Sequence, residues 1–171
     1  MTAITESSTD VPVRKSVTVS ASAERAFRVF TEEMDTWWPR THHIGKVPMR
    51  KQIIEPRAGG RCYSEQIDGT ECPWGTVLVW DPPSRVVLAW QIDGKWQYVP
   101  DLAQASEVEV RFTAEPDGST RVDLEHRYFS RHAEDGTAIR ASVDSSGGWG
   151  GLLQLFAAEV DRSPVNGELE R

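Results

Sequence analysis

Positive charge is scarce in this chain: 19 Lys and Arg stand against 26 Asp and Glu, a net charge of −7 over 171 residues. Polyanions and anionic membrane surfaces bind cationic faces. No run of Lys or Arg supplies one, so neither nucleic acid nor membrane is an expected partner. No apolar run approaches the roughly 20 residues of a membrane-spanning helix. Met1 to Asp10 is polar and lacks the apolar segment of a secretory signal. The resulting expectation is a cytoplasmic protein. Nucleophile elbow, phosphate-binding Gly-Lys loop and dinucleotide fingerprint are all missing. Neither CxxC nor HxxxH spacing occurs, so no metal and no cofactor is expected. Internal repeats are absent too, as is any linker that would split a domain.

Cysteine is limited to Cys62 and Cys72, on either side of Asp68-Gly69. Asp-Gly favours a two-residue hairpin turn. With Ile67 and Thr70 flanking it, Cys62 faces Gly75 and Cys72 faces Glu65. The thiols are then about 10 Å apart at ~3.3 Å per residue, beyond disulfide reach. Two reduced, structural thiols are expected.

What the sequence does contain is alternation, and one helical stripe. Val11 to Val19 alternates as a strand. Ser22 can cap a helix with apolar positions Ala23, Ala26, Phe27 and Phe30. A second short helical segment carries Met34, Trp37 and Trp38 before Pro39, and a loop with His42 and His43 follows. Strands are then expected over Met49 to Glu55, Gly60 to Ile67, Trp74 to Trp80 and Arg85 to Ile92. Asp93 to Ala105, holding Trp96 and Tyr98, links to a hairpin of Glu107 to Thr113 with Arg121 to Phe129. A loop at Asp117 to Ser119 pairs Val108 with Tyr128, Val110 with His126 and Phe112 with Leu124. One face of that hairpin is apolar and the other charged, as in an antiparallel sheet covered on one side.

From Trp149 to Val160 the residues Trp149, Leu152, Leu153, Phe156 and Val160 fall on one face of a helix. Gly147, Gly148, Gly150 and Gly151 crowd its start, although each helical Gly costs about 1 kcal/mol relative to Ala. Two readings stay open: a close backbone approach to a neighbouring strand, or room for a ligand beside Trp149. A curved sheet clasping this one long helix leaves a wedge-shaped space between them. The expected class is α+β, about seven antiparallel strands around a long C-terminal helix, with two short helices after the first strand. One domain is expected over residues 11–163, with a disordered start over 1–10 and a flexible tail over 164–171.

That element order resembles the helix-grip fold of the SRPBCC superfamily, the START and Bet v 1 relatives. Three segments are similar to the activator of Hsp90 ATPase homologue family: Ser20 to Phe27, Gly75 to Trp90 (GTVLVWDPPSRVVLAW) and Asp117 to His126 (DGSTRVDLEH). Gly148-Trp149 leading into the apolar helix fits the same pattern. The superfamily spans lipid carriers, hormone receptors, cyclases and dehydratases, so the resemblance implies a fold rather than a function.

Seven tryptophans offer area for an apolar or aromatic guest. Trp90 shares parity with Val86 and Leu88 and is expected to point at the helix; Trp74 and Trp80 share the other parity. Both faces of that hairpin are then partly apolar, which leaves room for a homodimer contact or cover by the Trp96 loop. The expected reading is a small-molecule binding protein without covalent catalysis. Its cavity would be lined by Trp38, Trp90, His126, Tyr128, Trp149, Leu153 and Phe156. His126 would anchor the guest, with Tyr128 or Tyr63 beside it. His42 and His43 read as a polar loop at the mouth. Two alternatives remain: a polyketide cyclase or dehydratase-like enzyme with His126 or Tyr128 moving a proton, and a co-chaperone-like interaction module.

Overall fold

The computed structural model describes residues 11–42 and 46–162. Met1 to Asp10, His43 and the expected tail lie outside the described residues.

Period-two segments build one sheet. Its strands are β1 (Val13–Val19), β2 (Met49–Ile54), β3 (Arg61–Gln66), β4 (Glu71–Asp81), β5 (Arg85–Trp90), β6 (Ser106–Ala114) and β7 (Thr120–Arg127). The order across the sheet is β1-β7-β6-β5-β4-β3-β2, and every neighbouring pair is antiparallel. β1 and β2, consecutive in sequence, therefore form opposite edges. Between them run α1 (Ala23–Phe30) and a 3-10 turn at Met34–Thr36. Ser22 caps α1 by accepting from the Arg25 backbone N–H at 3.2 Å.

α3 (Trp149–Arg162) buries Trp149, Leu152, Leu153, Phe156 and Val160, the stripe expected of it. It lies against β1 and α1. Phe156 meets Phe30 and Trp37 at ring-centroid distances of 5.3 and 5.5 Å, and Phe27 meets Phe112 and Trp80 at 5.3 and 5.0 Å. These ring contacts lock α3 to α1 and to the turn after it, and α1 to β6 and β4. No helix of the described residues is long and apolar enough to cross a membrane.

Three readings are corrected, two of the strands and one of the helices. Each hairpin loop holds three residues, 67–69 and 116–118, because Gln66 N–H donates to Thr70 O and Glu115 N–H to Ser119 O. The loops are alike: an Asp carboxylate accepts from the backbone N–H two residues on, and a Gly at φ +89° or +92° closes the turn. Ser64 consequently faces Cys72, and Val108 faces His126 rather than Tyr128. Cys62 does face Gly75 as expected, because a bulge at Cys62/Tyr63 restores that register, whereas Cys72 is off by one; the second hairpin is off by an even number, so its inner face survives.

Next, bulges at Cys62/Tyr63 and Val77/Val79 reset the parity of β4. Trp74 and Trp80 turn inward, Trp80 onto Phe27 and Trp74 onto Trp38. Val87 and Ala89, on the outer face, are already buried within the chain. That outer face is covered within the chain, so burying these two residues does not require a homodimer contact. The last correction is an added element: α2 (Gly136–Asp144) precedes α3, after 3-10 turns at Phe129–Asp135 that break at Ala133.

The outer face is an ion-pair lattice. Arg85, Arg111 and Arg127 all contact the Glu109 carboxylate. Burial pushes the Glu109 carboxyl up, but hydrogen bonds from Arg127 and Arg85 outweigh it and hold the group below the usual carboxylate range.

Candidate functional site

α3 covers one half of the sheet, and over the β2–β4 half the wedge stays open as a cavity of about 400 Å³. That volume falls in the range of small-molecule sites. Four indoles form a closed circuit along its wall, each in contact with the next. Trp38 stacks on Trp74 (6.3 Å, 9° between planes), Trp74 meets Trp90 (6.1 Å), Trp90 meets Trp149 (6.0 Å) and Trp149 returns to Trp38 (6.1 Å). Each comes from a different place in the chain: the turn before the β2 edge, β4, β5 and the first turn of α3. Trp96 adds a fifth at the mouth, half exposed, with φ +60°.

Three of the four indole N–H groups are held by the protein. Trp38 donates to His42 O at 2.7 Å, Trp74 to Gln52 Oε1 at 2.8 Å and Trp149 to His126 Nδ1 at 3.0 Å. The Trp90 N–H is buried without an acceptor. Fixed hydrogen bonds set the rotation of three of the four rings, so most of the aromatic wall is preorganised.

The polar groups reaching the cavity are Gln52 on β2, Ser64 on β3, Thr41 and His42 in the mouth loop, and Ser142 on α2. Among the described lining residues, His42 alone carries an ionisable side chain. Its Nε2 lies 3.2 Å from Gly147 O and its Nδ1 3.2 Å from Thr41 Oγ1. Because a carbonyl only accepts, Nε2 carries the proton and Nδ1 faces the Thr41 hydroxyl.

Gly147 and Gly148 also line the cavity. A Cβ on Gly148 would lie 2.1 Å from the Val143 carbonyl oxygen, whereas one on Gly147 meets nothing within 4 Å. Both open readings of the glycines therefore hold in part. The close approach is to the end of α2 rather than to a strand, and the space is beside Trp149.

The sequence-derived site residues divide four ways. Trp38, Trp90 and Trp149 line the cavity. Leu153 and Phe156 sit beneath it in the core, 1% and 0% exposed. His126 lies behind the wall, wholly buried against Trp90 and Trp149. Tyr128 is outside: β7 ends at Arg127, and a left-handed backbone (φ +69°) turns the Tyr128 ring outward between the Arg127 and Arg131 guanidiniums. Tyr63 faces out as well, under the Arg61 guanidinium. Neither tyrosine can orient a guest in this cavity.

His126 is the middle of a buried relay that includes two residues sequence reasoning missed, Ser106 and His132. Trp149 donates to His126 Nδ1, so Nε2 carries the histidine's proton and donates to Ser106 Oγ at 2.8 Å. The Ser106 hydroxyl then donates to His132 Nε2, also at 2.8 Å, and the Ser106 backbone N–H reaches the same nitrogen at 3.2 Å. Every link runs in one direction, which requires both histidines to be neutral. Burial, with a smaller contribution from His132, holds His126 well below the ordinary histidine pKa. The relay positions Trp149; it does not offer the cavity a titrating group.

A family model described as Activator of Hsp90 ATPase homolog 1-like protein matches residues 20–161. No curated protein matches the sequence. Among solved structures, the anthrahydroquino-gamma-pyrone synthase Txn09 complexed with SUM is 44% identical, covering 89% of this chain and 99% of its own, with a TM-score of 0.62. The self-sacrificing resistance protein CalC from Micromonospora echinospora is 30% identical, covering 91% and 97%, with a TM-score of 0.65. The Aha1 dimer from Colwellia psychrerythraea is 13% identical over 90% and 98%, TM-score 0.60, a likeness of fold alone.

Proposed function

The chain belongs to the Activator of Hsp90 ATPase homolog 1-like family, and from that premise we propose that it binds a neutral, apolar or aromatic small molecule in the tryptophan-walled cavity. The observation that carries this reading is the wall itself. Four indoles in mutual contact surround about 400 Å³ of space, and no described Asp, Glu, Lys or Arg side chain lines it. Such a surface gains from desolvating flat apolar area and has no fixed charge to offer an ion. A side-chain-filled interior would suit a pure interaction module; an open cavity does not call for one.

Tryptophan fluorescence tests the reading. The neutral tricyclic hydrocarbon fluorene should quench the wild-type protein saturably. Val143→Trp, which fills the α2 side of the cavity, should abolish that quenching while the fold is retained. Native mass spectrometry of protein purified from its host should show a bound small molecule. Linear, non-saturating titrations in wild type with both fluorene and its ketone 9-fluorenone would refute the reading.

A second reading, an enzyme acting on an aromatic or polyketide-like compound, is supported by the 44% identity to a chain described as a synthase and by His42 at the cavity mouth. In that reading the proton-moving group is His42 Nδ1 with Thr41, in place of His126 or Tyr128.

A further inference from the structure

Gln52 and Ser64 are direct cross-strand partners on β2 and β3, both reach the cavity, and both are nearly sealed from bulk solvent, 3% and 2% exposed. An indole N–H only donates, so the Trp74 bond fixes the Gln52 amide with its oxygen toward Trp74. The NH₂ end faces the other way, and no described residue accepts from it. Ser64 Oγ accepts from Gln66 Nε2 at 2.8 Å, which leaves the Ser64 O–H free to turn into the cavity. Side chains directly opposite on antiparallel strands have Cβ atoms about 5 Å apart. Two buried donors therefore stand side by side on an otherwise aromatic stretch of the wall, and no described residue accepts from either.

We infer that Gln52 and Ser64 form a two-donor seat for the carbonyl oxygen of an aryl ketone or quinone, which fixes how the guest lies against the tryptophans. The inference rests on the aromatic-guest reading above and names the chemical group that reading lacks. A carboxylate or phosphate guest would require a cation, and no Lys or Arg is among the described lining residues. A ketone oxygen needs only donors, which is what this pair supplies. Buried donors left unpaired also reject guests that lack an acceptor at that point, so the seat confers selectivity as well as affinity.

The test compares 9-fluorenone with fluorene, two rigid tricyclic probes that differ by one carbonyl. Tryptophan quenching should give wild type at least tenfold tighter binding of the ketone. The infrared carbonyl band of bound fluorenone should move to lower wavenumber than in hexane. Ser64→Ala and Gln52→Leu should each narrow the ketone preference, read as the ratio of the two affinities, by a few-fold, and the double variant should bring it to about one. If Gln52→Leu fails to fold because Trp74 loses its acceptor, Ser64→Ala decides alone. Equal affinity for the two probes in wild type, or an unchanged ratio in Ser64→Ala, would overturn the seat and leave the cavity reading standing. Binding of neither probe would overturn both.

Discussion

Trp149 and His126 are joined by a 3.0 Å hydrogen bond in which the indole donates to Nδ1. It ties the first turn of α3 to the end of β7 and fixes one side of the cavity from behind. His126→Leu would strand the Trp149 N–H and remove the donor to Ser106 Oγ. Buried groups left unpaired cost about 1–3 kcal/mol each, so urea unfolding should show a loss of about 2–3 kcal/mol. A loss below about 0.5 kcal/mol would mean that the bond does not hold Trp149 in place.

The same relay makes stability depend on pH. His126 is lowered well below 6.5 by burial and then by His132; His132 is lowered by burial, with Asp135 and Asp93 pulling the other way. As the pH falls below about 6.5, the unfolded chain takes up protons that the folded chain refuses. Stability from this source is therefore complete above that pH and is lost as pH falls toward the folded-state values. The limiting slope is about 1.4 kcal/mol per pH unit for each histidine. Urea midpoints between pH 5 and 8 should fall on the acid side, and less steeply in His126→Leu. A flat profile in wild type would show that neither histidine is held neutral.

On the outer face the sign is the same but the window is lower. Hydrogen bonds from Arg127 and Arg85, working against burial, hold the Glu109 carboxyl below its ordinary 4.5. Its contribution is present above that value and is lost as pH falls through the folded-state one. Two of its three Arg partners are only 16% and 32% exposed, whereas Arg111 is 60% exposed. Glu109→Gln should therefore cost about 1–2 kcal/mol at neutral pH, between surface and buried pairs. The variant should also lose less stability than wild type between pH 5 and 3.

The glycines before α3 separate by their surroundings. Gly148→Ala places a Cβ 2.1 Å from the Val143 oxygen, a backbone atom that cannot rotate away. The start of α3 must shift, and a loss of about 2–4 kcal/mol is expected, in line with overpacked core sites. Gly147→Ala meets open space and should stay within about 0.5 kcal/mol of wild type. Thermal or urea melts of the two variants compare them directly. Equal losses would mean that the α2–α3 turn has slack.

These particulars mark where reading the sequence succeeded. The α3 stripe was legible because five large apolar residues at helical spacing leave one way to bury them. The inner face of β6–β7 was legible despite a wrong register, since a shift of two preserves side-chain parity. The β4 face was not, because bulges reverse parity and no residue type announces them. α2 escaped with only Ile139 and Val143 buried at its apolar positions, too thin a stripe to register. Gln52 and Ser64 escaped for the opposite reason. Polar residues in an alternating strand read as solvent-facing, and only the Trp74 partner, 22 residues on, shows that Gln52 faces inward.

Trp96 carries the remaining prediction. It is 52% exposed, lines the cavity mouth and holds φ at +60°, a left-handed conformation that tryptophan rarely adopts. The turn is kept in place by Asp93, whose carboxylate accepts from the Lys95 and Gln97 backbone N–H groups at 2.8 and 2.9 Å, and by Trp96 N–H to Asp93 O at 3.0 Å. Backbone strain of this kind costs about 1 kcal/mol or more and collects where function needs it. Trp96→Gly removes the strain and the ring together. It should raise stability by up to about 1 kcal/mol while weakening fluorene binding several-fold, since one aromatic wall of the mouth is gone. Urea unfolding and quenching titration on the same variant decide the matter. A variant that is both more stable and equally good at binding would show that the indole has no part in holding the guest.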